Sequence, residues 1–324
     1  MVVCNSLADL PKINQSVLTI GSFDGIHRGH IEILKQIKIL ASSTTSKSAL
    51  ITFTPHPKAV LRPDLVESRH IITTLEKKHE IFKMHGIDYM LILPFDQTLA
   101  RIEADVFLKD IIIRKFNPHD IVVGYDHQFG YNRQGNIDLL NYYAESKSYN
   151  VHKINQMSVN GVPISSSRIR NDLKSGRIKQ ANKLLGWSYE IKGTVQKGDG
   201  LGKKIGYPTA NIEPIDDCQI IPSNGVYNVD IIIKDQVYNG MCNIGCRPTV
   251  SGKNNRIEVN IFSNDDLDLY SKEIKVIFKE YLRDEKKFSS IDKLRLQLDK
   301  DKKCCLKLNR KIKGVEHVNN KRTC

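Results

Sequence analysis

The sequence predicts an α/β domain with a parallel sheet, followed by a compact β-barrel closed by a C-terminal helix. Three observations predict this. The length of 324 residues suits two domains, each with its own core. Apolar strand-like runs alternate with helical patterns up to about residue 185. From Tyr189 onward, short strand patterns follow one another, separated by glycine.

In the first part, Val17–Gly21 is a short apolar run ending in glycine and reads as a buried strand. Over His30–Ala41, Ile31, Leu34, Ile37, Leu40 and Ala41 fall on one helical face. Ala49–Phe53 reads as a strand ending at the turn Pro55-His56-Pro57. Glu76–His85 reads as a helix stopped by Gly86, Tyr89–Leu93 as a strand, Ala104–Lys115 as a helix and Ile121–Val123 as a strand ending in Gly124. In such folds ligands bind beyond the carboxyl ends of the strands, where the turns after Val17–Ile20 and Ile121–Val123 would open. The pattern changes near Gly186-Trp187. Glu190–Val195, Gly225–Lys234, Gln236–Asn243, Arg256–Phe262 and Ile274–Leu282 read as barrel strands, and Ile291–Lys307 as the closing helix, with Asp292 near its start. The expected boundaries are 1–184, 185–303 and a poorly packed basic tail, 304–324; the terminal run from Lys302 to Arg322 is rich in Lys and Arg.

Composition excludes some classes. The chain is 40% hydrophobic and 26% charged, as in globular proteins, and no stretch approaches the ~18 apolar residues of a membrane helix. Asp9, Lys12 and Asp24 interrupt the first thirty residues, which lack a signal peptide's basic start and apolar run. A soluble cytoplasmic protein is expected. The 7 cysteines are scattered, with Cys242 and Cys246 as one loose pair, which argues against a structural zinc site. Lys+Arg exceeds Asp+Glu by 49 to 36, for a net charge of +13. That charge suits phosphate-bearing ligands as well as nucleic acid. No aromatic-interleaved basic stripe accompanies it, so nucleic acid is the weaker reading.

Two segments carry phosphate chemistry. In Gly21-Ser22-Phe23-Asp24-Gly25-Ile26-His27-Arg28-Gly29-His30, a glycine turn leads from a strand into a helix. Backbone N–H groups and the helix N-terminus favour an anion there, and His27 and His30 can donate to phosphate oxygens as charge builds. In Gly193–Asn211, Gly198, Gly200 and Gly202 precede Pro208-Thr209-Ala210-Asn211. Glycines allow close approach to phosphates, while Thr209 and Asn211 offer the hard oxygens that Mg²⁺ prefers.

The first segment resembles the HxGH nucleotidyltransferase signature as it occurs in prokaryotic bifunctional riboflavin kinase/FAD synthetase. Three further segments are similar to that family: Thr52–Pro57, the loop Val123–Gly130 with Arg133 and Gly135, and Ser165-Ser166-Ser167-Arg168-Ile169-Arg170. The resemblance implies a Rossmann-like domain that binds ATP through Gly21, Phe23, Asp24, Gly25, His27, His30, Ser165, Ser166 and Arg168. It implies that His27, His30 and Arg168 act in catalysis, and that Asp126 and His56 face the flavin. The glycine loop with Pro-Thr-Ala-Asn resembles the riboflavin kinase fingerprint, as does Asn243-Ile244-Gly245-Cys246-Arg247-Pro248-Thr249. By the same resemblance Glu258 is the base for the riboflavin 5′-hydroxyl, Thr209 and Asn211 hold Mg²⁺, and Gly198, Gly200 and Gly202 hold ATP.

The implied function is phosphorylation of riboflavin to FMN by the C-terminal half and adenylylation of FMN to FAD by the N-terminal half. The chain departs from the family's pattern at His127 (Phe), Leu201 (Arg), Asn260 (His) and Ser271 (Gly). These departures motivate one alternative, an FAD synthetase with a flavin-binding but inactive C-terminal module. The charge motivates another, a nucleic-acid-binding protein, since HxGH also occurs in tRNA-charging enzymes.

Overall fold

The computed structural model describes residues 1–147, 149–198, 200–249, 252–263 and 267–320. The chain forms two compact units, Met1–Ser166 and Ser167–Cys324.

The first unit is built on six parallel strands: β1 (Val2–Cys4), β2 (Ser16–Ile20), β3 (Lys47–Thr54), β4 (Tyr89–Pro94), β5 (Pro118–Gly124) and β6 (Asn150–Ile154). Their order across the sheet is β1-β4-β3-β2-β5-β6. All five residues of β2 are buried, Ser16 and Thr19 with Val17, Leu18 and Ile20, because helices cover both faces of a parallel sheet. The helices are α1 (Arg28–Ser43), α2 (Pro57–Leu61), α3 (Leu75–Met84), α4 (104–116) and α5 (Ile137–Lys147). In α1 the residues Ile33, Leu34, Ile37 and Ala41 are buried along one stripe.

The strand order reverses between β2 and β5. β3 and β4 lie on one side of β2, while β5 and β6 lie on the other. Leu18 of β2 pairs with Ile121 of β5 across this switch point. The loops after β2 and β5 therefore open over a crevice at the carboxyl edge of the sheet.

The second unit begins with α6 (Ser166–Lys174) and α7 (Ile178–Leu185), the latter ending at Gly186 with φ 84°. Six strands then close an antiparallel barrel: β7 (Glu190–Gln196), β8 (Ala210–Pro214), β9 (Gly225–Ile233), β10 (Gln236–Thr249), β11 (Gly252–Ile261) and β12 (Glu273–Arg283). Asn182 of α7 ties the helix to the barrel: its amide donates to the Phe278 carbonyl at 2.8 Å and its Oδ1 accepts the Tyr189 N–H at 2.8 Å. A long helix, α8 (Ile291–Asn320), follows the last strand.

Three expectations are corrected. The centre of the helix expected over Ala104–Lys115 is π-helical, Phe107–Ile113; this wider turn buries Phe107, Leu108, Ile111 and Ile112 together. The strand read as Gln236–Asn243 runs on to Thr249, where it pairs with Gly252. Of the segment read as a poorly packed tail, residues 304–320 continue the closing helix. Cys305 is buried against Ile205, Tyr207 and Met241, and the buried Asn309 accepts from Asn228 and Lys279.

Candidate active sites

At the switch point, β2 leads into Gly21–His27 and then into α1. His27 is the N-cap of that helix, and its Nδ1 accepts the His30 N–H at 3.4 Å. A ring nitrogen that accepts carries no proton, so the neutral His27 ring holds its proton on Nε2, as a donor. The His27 and His30 rings stack with centroids 3.9 Å apart, and Phe23 packs edge-on against His30 at 5.3 Å.

The loop is held under strain. Phe23 and Ile26 take φ of 47° and 28° beside Gly25 at 92°. For a β-branched residue such as Ile26 that conformation is costly and needs support from its surroundings. Asp24, which is 2% exposed, accepts the N–H groups of Ile72 and Thr73 at 2.8 and 3.1 Å. The Gly25 N–H donates to Thr73 Oγ1 at 2.8 Å. Lys78 Nζ donates to the Ser22 carbonyl at 2.6 Å, and Ser166 Oγ to the Asp24 carbonyl at 2.7 Å. The first and fourth sequence motifs thus meet in space.

These contacts change two expected roles. Asp24 is a buried anchor for the loop rather than a group presented to a phosphate. Ser166 Oγ donates its hydroxyl proton to the Asp24 carbonyl, and Ser165 beside it is half-buried. Arg168 is half-buried on the first turn of α6, within the second unit.

Burial sets the charges. It pushes His27 down to about 4, against the opposing pull of the Asp126 and Asp24 carboxylates. His30 lies well below its ordinary value, first through burial and then through His27 and Lys78. Lys78 is lowered to about 8 by burial, with Asp24 opposing. Both imidazoles are therefore neutral donors at pH 7. An NMR titration should find the His27 ring neutral down to about pH 5. Between its ordinary 6.5 and about 4, the unfolded chain binds that proton and the folded chain does not. Stability should accordingly fall as pH drops through this window.

Around the same sheet edge, Asp126 is exposed on the loop after β5. His56, at the carboxyl end of β3, caps α2 by accepting the Lys58 N–H on Nδ1 at 3.1 Å. His127, where the resemblance expects Phe, is half-buried and stacks on Phe129 with centroids 5.7 Å apart. Its Nε2 is buried and finds no hydrogen-bond partner among the described residues, and burial lowers the ring to about 4. The substitution thus falls in a packing surface.

In the barrel, a polar row crosses four neighbouring strands. Gln196, Asn211, Glu258 and Asn243 are successive register partners on β7, β8, β11 and β10. Directly paired residues share one face of a sheet, so these side chains stand together outside the apolar interior formed by Ile257 and Val259. Arg256 joins the row, its Nε lying 2.8 Å from Glu258 Oε1 and donating to Asn211 Oδ1 at 2.6 Å. The glycine loop lies directly over this row. A Cβ on Gly198 would collide with the Asn211 amide, and one on Gly202 would collide with the Tyr207 carbonyl and lie 3.2 Å from Thr209 Oγ1. Gly200, with φ 70°, precedes the helical turn Leu201–Lys204, and Thr209 is exposed.

Two departures gain a structural account. The Asn260 amide donates to the Pro208 carbonyl at 2.7 Å and so holds the turn that carries Thr209. Ser271 takes φ 58°, a left-handed conformation that glycine adopts more cheaply. The Leu201 side chain lies outside the described residues. Arg283 holds the last helix through Nε and Nη2, which lie 3.0 and 2.7 Å from Asp301 Oδ2.

Sequence reasoning missed Lys78 and Arg256. Nothing marks Lys78, since a lysine on a helical pattern reads as solvated. Arg256 was visible as the i−2 neighbour of Glu258, a spacing that puts both on one face of a strand.

Comparison with known proteins agrees with this layout. Residues 10–168 match the FAD synthetase family and residues 185–309 the riboflavin kinase family. A bifunctional riboflavin kinase/FMN adenylyltransferase of Buchnera aphidicola is 35% identical over 93% of this chain and 96% of its own length. The protein of the same name from Bacillus subtilis is 35% identical, over 89% of this chain and 90% of its own. A crystal structure described as a macrolide-efflux protein from Streptococcus pneumoniae superposes with a TM-score of 0.85 at 31% identity, covering 93% of this chain and 97% of that one. Among the described residues, no helix is long and apolar enough to cross a membrane.

Proposed function

The chain belongs to the bifunctional riboflavin kinase/FMN adenylyltransferase family, and we propose that residues 1–184 adenylylate FMN while residues 185–303 phosphorylate riboflavin. The two family matches, 10–168 and 185–309, support that division. ATP serves both reactions, and a cytoplasmic location suits substrates of this kind.

In the first reaction an oxygen of the FMN phosphate attacks the α-phosphorus of ATP. The bond from that phosphorus to the bridging oxygen breaks, and pyrophosphate leaves. Little covalent help is needed; positioning and fixed positive charge do most of the work. The N-terminus of α1, the Nε2 proton of His27 and the ring N–H of His30 meet the phosphates, with Gly21 and Gly25 giving the backbone room. Phe23 orients His30, while Asp24 and Ser166 hold the loop. Ser165 and Arg168 stabilise the departing pyrophosphate, and Asp126 and His56 stand on the flavin side.

In the second reaction Glu258 takes the proton of the riboflavin 5′-hydroxyl as that oxygen attacks the γ-phosphorus, and ADP leaves. Gly198, Gly200 and Gly202 let the loop close on the phosphates. Thr209 Oγ1 and Asn211 Oδ1 are uncharged hard oxygens beneath that loop, a donor set that fits Mg²⁺, which keeps most of its waters. Bound there, the ion would neutralise phosphate charge. The single observation that carries the kinase assignment is the pairing of Asn211 with Glu258, which puts the metal ligand and the base side by side. The Asn260 bond to Pro208 keeps the Thr209 turn in place and favours an active kinase over an inactive flavin-binding module.

The test is to incubate the protein with riboflavin, ATP and Mg²⁺ and to separate the flavins. FMN and then FAD are expected; unaltered riboflavin, with supplied FMN also unaltered, would overturn the reading. Gly198→Ala should displace Asn211 and lower FMN formation roughly a hundredfold, as ångström-scale misplacement does. Steady-state rates with riboflavin check this, with FAD formation from FMN as the internal control.

A further inference from the structure

Arg256 stands where three parts of the kinase site meet. Its Nε is shared between Asn211 Oδ1 at 2.6 Å and Glu258 Oε1 at 2.8 Å. Its Nη2 lies at the glycine loop, 3.3 Å from the point a Cβ on Gly198 would occupy. One guanidinium therefore touches the metal ligand, the base and the wall of the phosphate cradle.

We propose that Arg256 is a positioning residue for phosphoryl transfer: it clasps Asn211 to Glu258 before nucleotide binds and transfers its guanidinium to the nucleotide phosphates when the cradle fills. The proposal rests on the assignment of Glu258 as base and Asn211 as metal ligand. The physical grounds are electrostatic. A divalent cation arriving at Asn211 Oδ1 repels the guanidinium that now shares that oxygen. Polyphosphate under the Gly198 loop attracts the same group, and its planar fork suits phosphate oxygens. As Arg256 turns toward phosphate, it leaves the Glu258 carboxylate open to the riboflavin hydroxyl. Arg256 and Glu258 are both partly exposed, with 29% and 27% of their side-chain surface accessible, so the movement has room.

Arg256→Gln tests this through two quantities. The KM for ATP with Mg²⁺ should rise about tenfold, the scale of one charge-assisted hydrogen bond. The kcat at saturating ATP should stay close to wild type, as when binding energy is lost from ground state and transition state alike. A merely structural role would lower kcat as well. A folded Arg256→Gln protein, judged by circular dichroism and riboflavin binding, with a wild-type KM for ATP, or with kcat lowered as much as KM is raised, would overturn the proposal. Should Arg256→Gln fail to fold, Arg256→Lys decides: a raised KM for ATP supports the proposal, and a wild-type KM overturns it. Glu258→Gln separates the two levels. Full activity in that variant would remove the base assignment itself. An inactive Glu258→Gln beside a wild-type Arg256→Gln would remove only the coupling.

Discussion

Glu258→Gln is expected to lower FMN formation from riboflavin roughly a thousandfold, within the range for loss of a general base. FAD formation from supplied FMN should remain at the wild-type rate. The substitution keeps the shape of the side chain and its place opposite Asn211 and Asn243, so the barrel register should survive. What goes is the group that can accept the hydroxyl proton. The polar row Gln196, Asn211, Glu258 and Asn243 has no other carboxylate, so no neighbour in it can take over. Initial rates for both reactions, measured on the same preparation, check this. Equal losses in both would contradict the assignment of Glu258 to one site.

His27→Asn should have the opposite selectivity. FAD formation should fall by roughly a hundredfold to a thousandfold, as when one preorganised donor to a developing charge is removed. FMN formation should be unchanged. Asparagine is the informative replacement because it is a strong helix N-cap. The bond from the His30 N–H can be remade, so a loss of rate reports the missing Nε2 donor rather than a frayed α1. Alanine would remove cap and donor together and add about 1 kcal/mol of destabilisation. Rates with FMN and ATP, alongside thermal unfolding of the variant, separate the two contributions.

Much of this was legible in the sequence because it rests on local pattern. The strands around Val17–Ile20, Ala49–Phe53 and Ile121–Val123 announce themselves as apolar runs, since a parallel sheet is buried on both faces. The glycine turns after β2 and β5 follow from the same alternation, so the crevice could be placed before its walls were seen. Strand β8 was missed. It is five residues long, carries Asn211 and ends in Pro214, and only Ile212 and Pro214 are buried. A strand that presents so much of itself to a site loses the apolar alternation that would reveal it.

The contacts that aim the site were not legible. Lys78 reaches a carbonyl 56 positions away, and Ser166 one 142 positions away. A charged side chain on a helix reads as solvated until the chain is folded, and only then do burial and the Ser22 carbonyl appear. The tail misled for a related reason. Its lysines and arginines suggest a loose segment, yet Cys305 and Asn309 are spaced four apart and fall on the buried face of α8. Asp301 lies a further four residues back on the same face, paired with Arg283.

The central claim, two separate sites each aligning ATP with a flavin, is tested most directly by mixing two single variants. Neither His27→Asn nor Glu258→Gln alone should convert riboflavin to FAD at more than a trace rate. Incubated together with riboflavin, ATP and Mg²⁺, they should produce FAD, because the first supplies FMN and the second adenylylates it. A mixture of folded variants that yields no FAD, although wild-type protein does, would contradict the claim.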